Sequence, residues 1–147
     1  MKKEFVTYEQ ALALKELGFD EPCFGRYLSS LIPSNFTEYH LETEFGMNES
    51  PKDWINSNFL DKACSAPLKQ QVLRFFREKY DYHIVITNTN GLGKSKGFGY
   101  EISIQNSNDI IAEYGSIYVP NEPWLNTYEE AESACIDKLI EILKAKK

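Results

Sequence analysis

The sequence predicts an α+β fold, in which a three-stranded antiparallel meander, with or without one extra strand, carries helices packed mainly on one face. Helix-type apolar patterns stand near both ends of the chain and in its middle. Between the middle and last helices, consecutive stretches alternate apolar and polar residues, and turn signals separate them. A chain of 147 residues is long enough for one core, so we expect a single domain at 1–147.

The first helix is predicted at residues 8–17. Thr7 and Gln10 form a capping box, in which the threonine hydroxyl caps the first turn and the glutamine returns to the N-cap amide. Gly18 suits the left-handed position that follows a helix, and Phe19 folds back onto the apolar stripe. That stripe consists of Ala11, Leu14 and Leu17.

An irregular section is predicted at about 20–62, because Pro22, Gly25 and Pro33 interrupt any regular pattern. Residues 39–45 alternate in the manner of a strand, and a short helix begins at Ser50-Pro51.

The predicted 39–45 strand carries the pattern His40-x-Glu42-x-Glu44 on its outer face. Alternate strand residues converge on one side, so these side chains resemble part of a metal site. No further ligand stands nearby at a recognisable spacing. We therefore interpret the pattern as a solvated strand face, and we predict no metal site and no cofactor.

The middle of the chain predicts a helix at 66–80 followed by a β-hairpin. Ser65 is the expected N-cap, and Pro67 is tolerated in the first turn. A strand at 82–87 leads to the turn signal Asn90-Gly91. The helix stripe consists of Leu68, Val72, Phe75, Phe76 and Tyr80. One side of the second strand consists of Phe98, Tyr100, Ile102 and Ile104.

The last part of the chain predicts a third strand at 110–119, with a bulge at Gly115, and a final helix. Thr127 and Glu130 repeat the capping box of the N-terminus. Cys135 lies in the apolar stripe of this helix, so we interpret it as a packed core thiol. The other members of the stripe are Ala131, Ala134, Leu139, Ile142 and Leu143.

Charge is unevenly distributed along the chain. With 16 basic and 22 acidic residues the net charge is −6, which argues against a general nucleic-acid binder. The segment 66–100 holds six basic residues against Glu78 and Asp81, so it carries +4 and the remainder carries −10. The six are Lys69, Arg74, Arg77, Lys79, Lys94 and Lys96.

Cysteine usage and hydropathy predict a cytoplasmic protein. Cys23, Cys64 and Cys135 are far apart, odd in number and without a C-x-x-C pair, as in reduced proteins. No apolar run approaches the roughly 20 residues of a membrane span. The charged N-terminus is not followed by the apolar core of a signal peptide. We therefore expect no membrane association, and a monomer or a homodimer.

Residues 88–95 resemble the phosphate-binding Walker A loop, with Asn88 in place of its first glycine. That loop works because a helix begins at its lysine and aims backbone N–H groups at phosphate. Here Gly97 and a strand follow instead, so a nucleotide site is disfavoured.

Residues 96–100 resemble the first five positions of the signature octapeptide of RNA-recognition motifs. In that family the aromatic residues at the positions of Phe98 and Tyr100 stack on bases. The family's core positions fall here on Glu101 and Ser103, while apolar residues continue the parity of the two aromatics. We therefore expect Phe98 and Tyr100 to point towards the core.

Catalysis has little support in the sequence. The two histidines, His40 and His83, have no readable serine or cysteine partner, so we predict no catalytic residue. An enzyme stays an alternative, and it requires a pocket that joins a histidine with carboxylates or a cysteine.

Three segments, which together make up a third of the chain, are similar to a group of uncharacterised small proteins of Bacteroides-type bacteria and their phages. The segments are Thr7–Cys23, Ala66–Tyr80 and Thr127–Leu143. The resemblance implies a phage or mobile-element origin and an intracellular role. It carries no known activity and no functional residues.

We expect a small non-catalytic protein that binds a host or phage macromolecule, preferentially a protein. The expected contact surface is the basic face of helix 66–80 with the 88–97 loop. The alternative is single-stranded nucleic-acid binding through the basic 66–100 segment, with two aromatic residues stacking on bases. The candidate binding residues are Lys69, Arg74, Arg77, Lys94, Lys96, Phe98 and Tyr100.

Overall fold

A computed structural model describes residues 2–30, 38–60, 62–88, 97–105, 107, 109–115 and 124–146. This part of the chain contains three α-helices and two antiparallel three-stranded sheets, so the predicted α+β class is confirmed. The chain divides into two compact units, Met1–Gln71 and Val72–Lys147, and each is described by itself. The expectation of a single domain stays a prediction.

The helices are α1 (Tyr8–Glu16), α2 (Lys69–Tyr80) and α3 (Tyr128–Ala145). The strands are β1 (Arg26–Ser30), β2 (Glu38–Glu42), β3 (Cys64–Ser65), β4 (Tyr82–Asn88), β5 (Phe98–Ile104) and β6 (Ile110–Tyr114). Single 3₁₀ turns occur at Lys2–Glu4, Pro51–Asp53 and Asn56–Asn58. Within the described ranges, no helix is both long and apolar enough to cross a membrane.

Helix α1 has the predicted capping chemistry at both ends. Thr7 Oγ1 accepts a hydrogen bond from the Gln10 N–H at 3.3 Å, and Gln10 Oε1 accepts one from the Thr7 N–H at 3.1 Å. After the helix, the Phe19 N–H donates to the Leu14 carbonyl at 2.9 Å. Gly18 has a φ of 81°, the left-handed value that favours glycine after a helix.

The first unit is built on a sheet of order β2–β1–β3. Tyr27 of β1 pairs with Leu41 of β2 on one side and with Cys64 of β3 on the other. The buried Tyr27 hydroxyl donates to the Val6 carbonyl at 2.7 Å and so ties the sheet to the N-terminal segment. The sequence predicts only β2 here, and β2 ends at Glu42, before the predicted end at residue 45. The five residues of β1, with the sequence RYLSS, do not alternate between apolar and polar, and β3 has only two residues.

The start of α2 differs from the prediction, because Ser65 lies in β3 and is not an N-cap. The Ala66 N–H donates to the Gly25 carbonyl at 2.7 Å, and the Val6 N–H donates to the Pro67 carbonyl at 3.1 Å. These backbone bonds to distant residues keep the chain extended, so the helix begins only at Lys69.

The helix predicted after Ser50 is a single 3₁₀ turn at Pro51–Asp53. The Asp53 carboxylate accepts hydrogen bonds from the Ser50 N–H and hydroxyl, both at 2.8 Å. Trp54 follows directly and is fully buried. Burial of this indole therefore ends the turn by drawing the chain into the core of the first unit.

The second unit contains the predicted meander, in the order β4–β5–β6. Ile84 pairs with Ile102 across β4 and β5. The pairing of β5 with β6 shifts register between Ile102 and Ser103, whereas Gly115 follows β6 with a φ of 66°. The register shift therefore lies at the Ile102/Ser103 step of β5, whereas the sequence predicts a bulge at Gly115. The remainder of the predicted third strand lies outside the described residues.

Helix α3 packs against β5 and β4 and covers one face of the meander. Its predicted capping box is present, because Thr127 and Glu130 exchange hydrogen bonds at 3.1 and 3.3 Å. The buried Tyr100 and Ile102 mark the covered face of β5. The buried apolar residues of α3 are Ala131, Cys135, Ile136, Leu139, Ile140 and Leu143.

Candidate functional site

Of the predicted basic residues that the structure describes, Arg74 and Arg77 are exposed and Lys69 is buried. Lys69, in the first unit, is only 7% exposed, so its side chain does not lie on the solvent face of the helix as expected. Arg74 and Arg77 of α2 are exposed, and Arg74 Nε lies 4.0 Å from Glu78 Oε1. Lys94 and Lys96 lie outside the described residues, as does most of the predicted 88–97 contact loop.

The two candidate stacking residues have aromatic partners. Tyr100 is 7% exposed, and its ring stacks on Tyr114 with centroids 5.9 Å apart. Phe98 is half-buried, its ring meets Tyr128 edge-on at 6.1 Å, and its backbone exchanges two hydrogen bonds with Leu125. Tyr100 therefore belongs to the core and Phe98 to its margin. A base that stacked on either ring would have to displace one of these contacts.

All three cysteines are buried free thiols. Burial is the largest cause of the change in their acidity, and it raises the pKa of Cys23, Cys64 and Cys135 to about 12. A thiol with so high a pKa stays protonated at neutral pH and is a poor nucleophile. The cysteines therefore contribute packing to the two cores.

A cleft of about 640 Å³ opens beside β2 in the first unit. Arg26 dominates it, with Nε 3.0 Å from Glu42 Oε2 and Nη1 2.8 Å from Glu49 Oε1. The guanidinium also lies over the Trp54 ring, 4.5 Å from its centroid. Because these charges are paired with each other, we interpret the group as a clamp that holds the loop after β2 against the sheet.

The pattern that suggests a metal site lies at the edge of this clamp. His40 Nε2 lies 3.4 Å from Glu42 Oε1, while the other oxygen of Glu42 binds Arg26. Over the described ranges, no group of three or more His, Cys, Asp or Glu side chains is placed to hold a metal ion.

A second cleft, of about 500 Å³, lies where β5 turns towards β6 in the second unit. It opens on the face of the meander opposite α3, which we call the outer sheet face. Residues paired across antiparallel strands point to the same side, so the pairs His83–Ser103 and Glu101–Glu113 both belong to this face. The outer sheet face consists of His83, Val85, Thr87, Glu101, Ser103, Ile110 and Glu113.

Apolar side chains stand in and beside this cleft. Ile110 is 52% exposed, Ile104 is 37% exposed and Val85 is 36% exposed. Single exposed aliphatic residues are common on protein surfaces, but several beside one cleft are typical of an interaction site.

Polar groups at the floor of the cleft are not engaged with the rest of the molecule. Ser103 lines the cleft, yet it is only 7% exposed, and its hydroxyl makes no hydrogen bond to any residue that the structure describes. His83 stands directly opposite on β4, and Glu101 lines the same cleft. The cleft thus joins a histidine with a carboxylate, as the catalytic alternative requires. The hydrogen bond from serine to histidine that would activate a nucleophile is not formed.

Sequence reasoning missed this face, because it followed lysine and aromatic residues along the same stretch. The available signal was the parity of β5, on which Glu101 and Ser103 alternate with buried Tyr100 and Ile102. Two facts needed the structure, namely which residue of β6 lies opposite Glu101 and which side chains form the cleft.

Comparisons with protein-family models, with curated protein sequences and with solved structures gave no match. The function therefore has to be inferred from the chemistry of the outer sheet face and of the Arg26 clamp.

Proposed function

We propose that this chain is a small non-catalytic binding protein that takes a protein partner on its outer sheet face. The observation that carries the proposal is the cleft beside β5, which is lined by the exposed Ile104 and Ile110, while Val85 is exposed on the outer sheet face next to it. Each square ångström of apolar surface that a partner covers contributes about 25 cal/mol to binding. In the free protein this apolar surface is exposed to water and makes no such contribution.

The contrast with the first cleft supports the choice of surface. In the Arg26 clamp the guanidinium is bound by Glu42 and Glu49, so a ligand there would have to break ion pairs. On the outer sheet face, Ser103 offers a hydroxyl that has no partner in the described part of the chain. A ligand therefore gains contacts on the outer sheet face without first removing any.

Single-stranded nucleic acid is the alternative partner, and the charge of the outer sheet face disfavours it. Glu101 and Glu113 lie on that face, and the stretches 82–88 and 97–115 contain no lysine or arginine. A carboxylate repels the phosphate backbone that dominates nucleic-acid affinity. A nucleic acid would instead have to use Arg74 and Arg77 on α2.

The proposal includes a phage or mobile-element origin and a cytoplasmic location. The resemblance of the segments Thr7–Cys23, Ala66–Tyr80 and Thr127–Leu143 supports the origin. The three free cysteines support a reducing compartment.

The test is affinity capture from a bacterial lysate with quantitative mass spectrometry, comparing the wild type with two double variants. Val85→Gln/Ile110→Gln removes aliphatic surface from the outer sheet face without changing charge. The matched control, Phe24→Gln/Leu60→Gln, removes exposed apolar surface from the first unit, where these residues are 57% and 82% exposed. We expect a partner that the wild type and the control both retain and that the sheet variant loses.

Equal recovery of every captured protein by all three forms would contradict the proposal. In parallel, fluorescence anisotropy with labelled single-stranded DNA and RNA tests the alternative at low and physiological salt. Salt-sensitive binding that survives in the sheet variant and disappears in Arg74→Gln/Arg77→Gln would assign the function to nucleic acid instead.

A further inference from the structure

The outer sheet face holds two like charges in direct opposition. Glu101 of β5 and Glu113 of β6 are cross-strand partners, and their side chains point to the same side of the sheet. Glu113 is exposed and Glu101 is half-buried. Neither carboxylate forms an ion pair or a hydrogen bond with any residue in the described part of the chain. Like charges placed directly opposite each other destabilise a sheet.

Some carboxylates elsewhere in the chain are paired with a cation. In the first unit, Arg26 binds Glu42 of the neighbouring strand, and on α3 Lys138 binds Glu141. The cross-strand pair Glu101–Glu113 receives no such cation, although the chain has 16 basic residues. An arrangement that costs local stability without an internal compensation is expected at a binding site.

A second, independent feature points to a ligand at the same place. Ser103 stands two residues from Glu101 on the same side of β5, is only 7% exposed and lines the cleft. Its hydroxyl makes no hydrogen bond to any described residue, and its oxygen is not among the buried atoms without a partner, so it faces the solvent of the cleft. A bound chain can replace water at this hydroxyl.

We propose that the partner presents an extended basic segment, whose lysine or arginine lies against Glu101 and Glu113 and whose neighbouring apolar side chain enters the cleft beside Ile110. This inference rests on the proposed function and names the chemistry of the partner. Side chains two residues apart in an extended chain lie on one side about 7 Å apart, as do Glu101 and Ser103. The recognised pattern is therefore a basic residue and an apolar residue separated by one position.

The same charges exclude two other occupants of this face. A second copy of the chain, docked face to face, would bring two Glu101–Glu113 pairs together and add to the repulsion. A nucleic acid would bring phosphates against the same carboxylates. A basic peptide is the occupant that relieves the repulsion already present in the free protein.

The test uses fluorescein-labelled synthetic peptides with the repeat Lys-Thr-Val-Thr, and analogues in which glutamine or glutamate replaces lysine. Lysine and valine then share one side of the extended chain. The full-length protein is compared with Glu101→Gln/Glu113→Gln and with the control Glu4→Gln/Glu44→Gln, which changes the net charge equally but at exposed residues away from the outer sheet face. Binding is followed by anisotropy, and thermal stability is measured for each form.

We expect the lysine peptide to bind more tightly than either analogue. Loss of both carboxylates should weaken its binding by up to about tenfold at low salt, as expected for two exposed ion pairs, and the control should change it less than about twofold. The Glu101→Gln/Glu113→Gln variant should also melt at a higher temperature than the wild type, because repulsion has been removed. A purely structural role for the carboxylates predicts a lower melting temperature instead.

The outcomes separate this inference from the proposed function. Binding that depends on Val85 and Ile110 but is unchanged in Glu101→Gln/Glu113→Gln overturns the basic-segment inference and leaves the proposed surface standing. Binding of the lysine peptide that is unchanged in Val85→Gln/Ile110→Gln and in Glu101→Gln/Glu113→Gln, together with equal lysate capture, overturns the proposed function and this inference. A glutamate peptide that binds as tightly as the lysine peptide also overturns the inference.

Discussion

At the scale of single residues, Arg26 shows how one cation organises a loop. Its guanidinium bonds with Glu42 of β2 and with Glu49 after the following loop, and it lies over the Trp54 ring. The Gly46 N–H donates to the same Glu49 carboxylate at 2.9 Å. That backbone hydrogen bond is the largest cause of the lowered pKa of Glu49, and the Arg26 bond adds to it.

The Arg26 clamp predicts that part of the loss of folding stability at low pH comes from Glu49. In the folded protein the pKa of Glu49 lies below its ordinary value of 4.5. The ionised Glu49 therefore stabilises the folded protein fully at a pH above 4.5, and this stabilisation is lost as the pH falls through the pKa of the folded state. We expect Glu49→Gln to reduce the fall in unfolding free energy over that acidic range, as measured by urea denaturation at a series of pH values. Glu44→Gln, an exposed neighbour, should leave the fall unchanged. Identical pH dependence in Glu49→Gln and the wild type would refute the role of the clamp.

At the scale of elements, the meander depends on close backbone approach between β5 and β6. A Cβ atom on Gly99 would collide with the carbonyl oxygen of Tyr114 and approach that of Gly115 to 3.1 Å. Both obstacles are backbone atoms, which cannot rotate away as the end of a side chain can. The glycine therefore allows Tyr100 to stack on Tyr114 and sets the spacing that brings Glu101 opposite Glu113.

Gly99→Ala should destabilise the protein by about 1–3 kcal/mol, because β6 has to shift to admit the methyl group. Urea denaturation measures this change. Gly46→Ala is the control, since the nearest atom to its new Cβ is Glu49 Oε2 at 3.3 Å, which belongs to a side chain and not to the backbone. If the two variants cost the same free energy, close approach at Gly99 is not what holds β5 and β6 together.

At the scale of the whole molecule, each of the two compact units has its own buried thiols. Cys23 and Cys64 belong to the first unit and Cys135 to the second, and all three are fully buried. Burial raises the pKa of each thiol to about 12. The sulfur atoms are therefore protected from reagents both by the lack of solvent access and by the low fraction of thiolate. The cysteines therefore report separately on the opening of each unit.

In the native protein at neutral pH we expect none of the three thiols to react with a chromogenic disulfide reagent on the timescale of minutes. All three should react after unfolding in concentrated guanidinium, and peptide mapping of the labelled protein assigns each site. Rapid labelling of any one cysteine in the absence of denaturant would show that the core around that cysteine is open.

Features whose interacting groups lie close along the chain can be predicted from the amino-acid sequence. The capping boxes at Thr7 and Thr127 and the left-handed Gly18 depend on groups a few residues away, and the structure confirms them. The alternation of apolar and polar residues along β4 and β5 predicts both strands equally well, because one face of a half-buried strand must be apolar.

Contacts between residues that are distant in the sequence are visible only in the folded protein. Ser65 becomes a strand residue because Ala66 bonds to Gly25, and no local pattern records that contact. The position of Glu113 opposite Glu101 depends on the register between two strands, which is set by a shift at the Ile102/Ser103 step. Caps and alternation are local interactions, whereas register, burial and clefts arise from the packing of segments far apart in the chain.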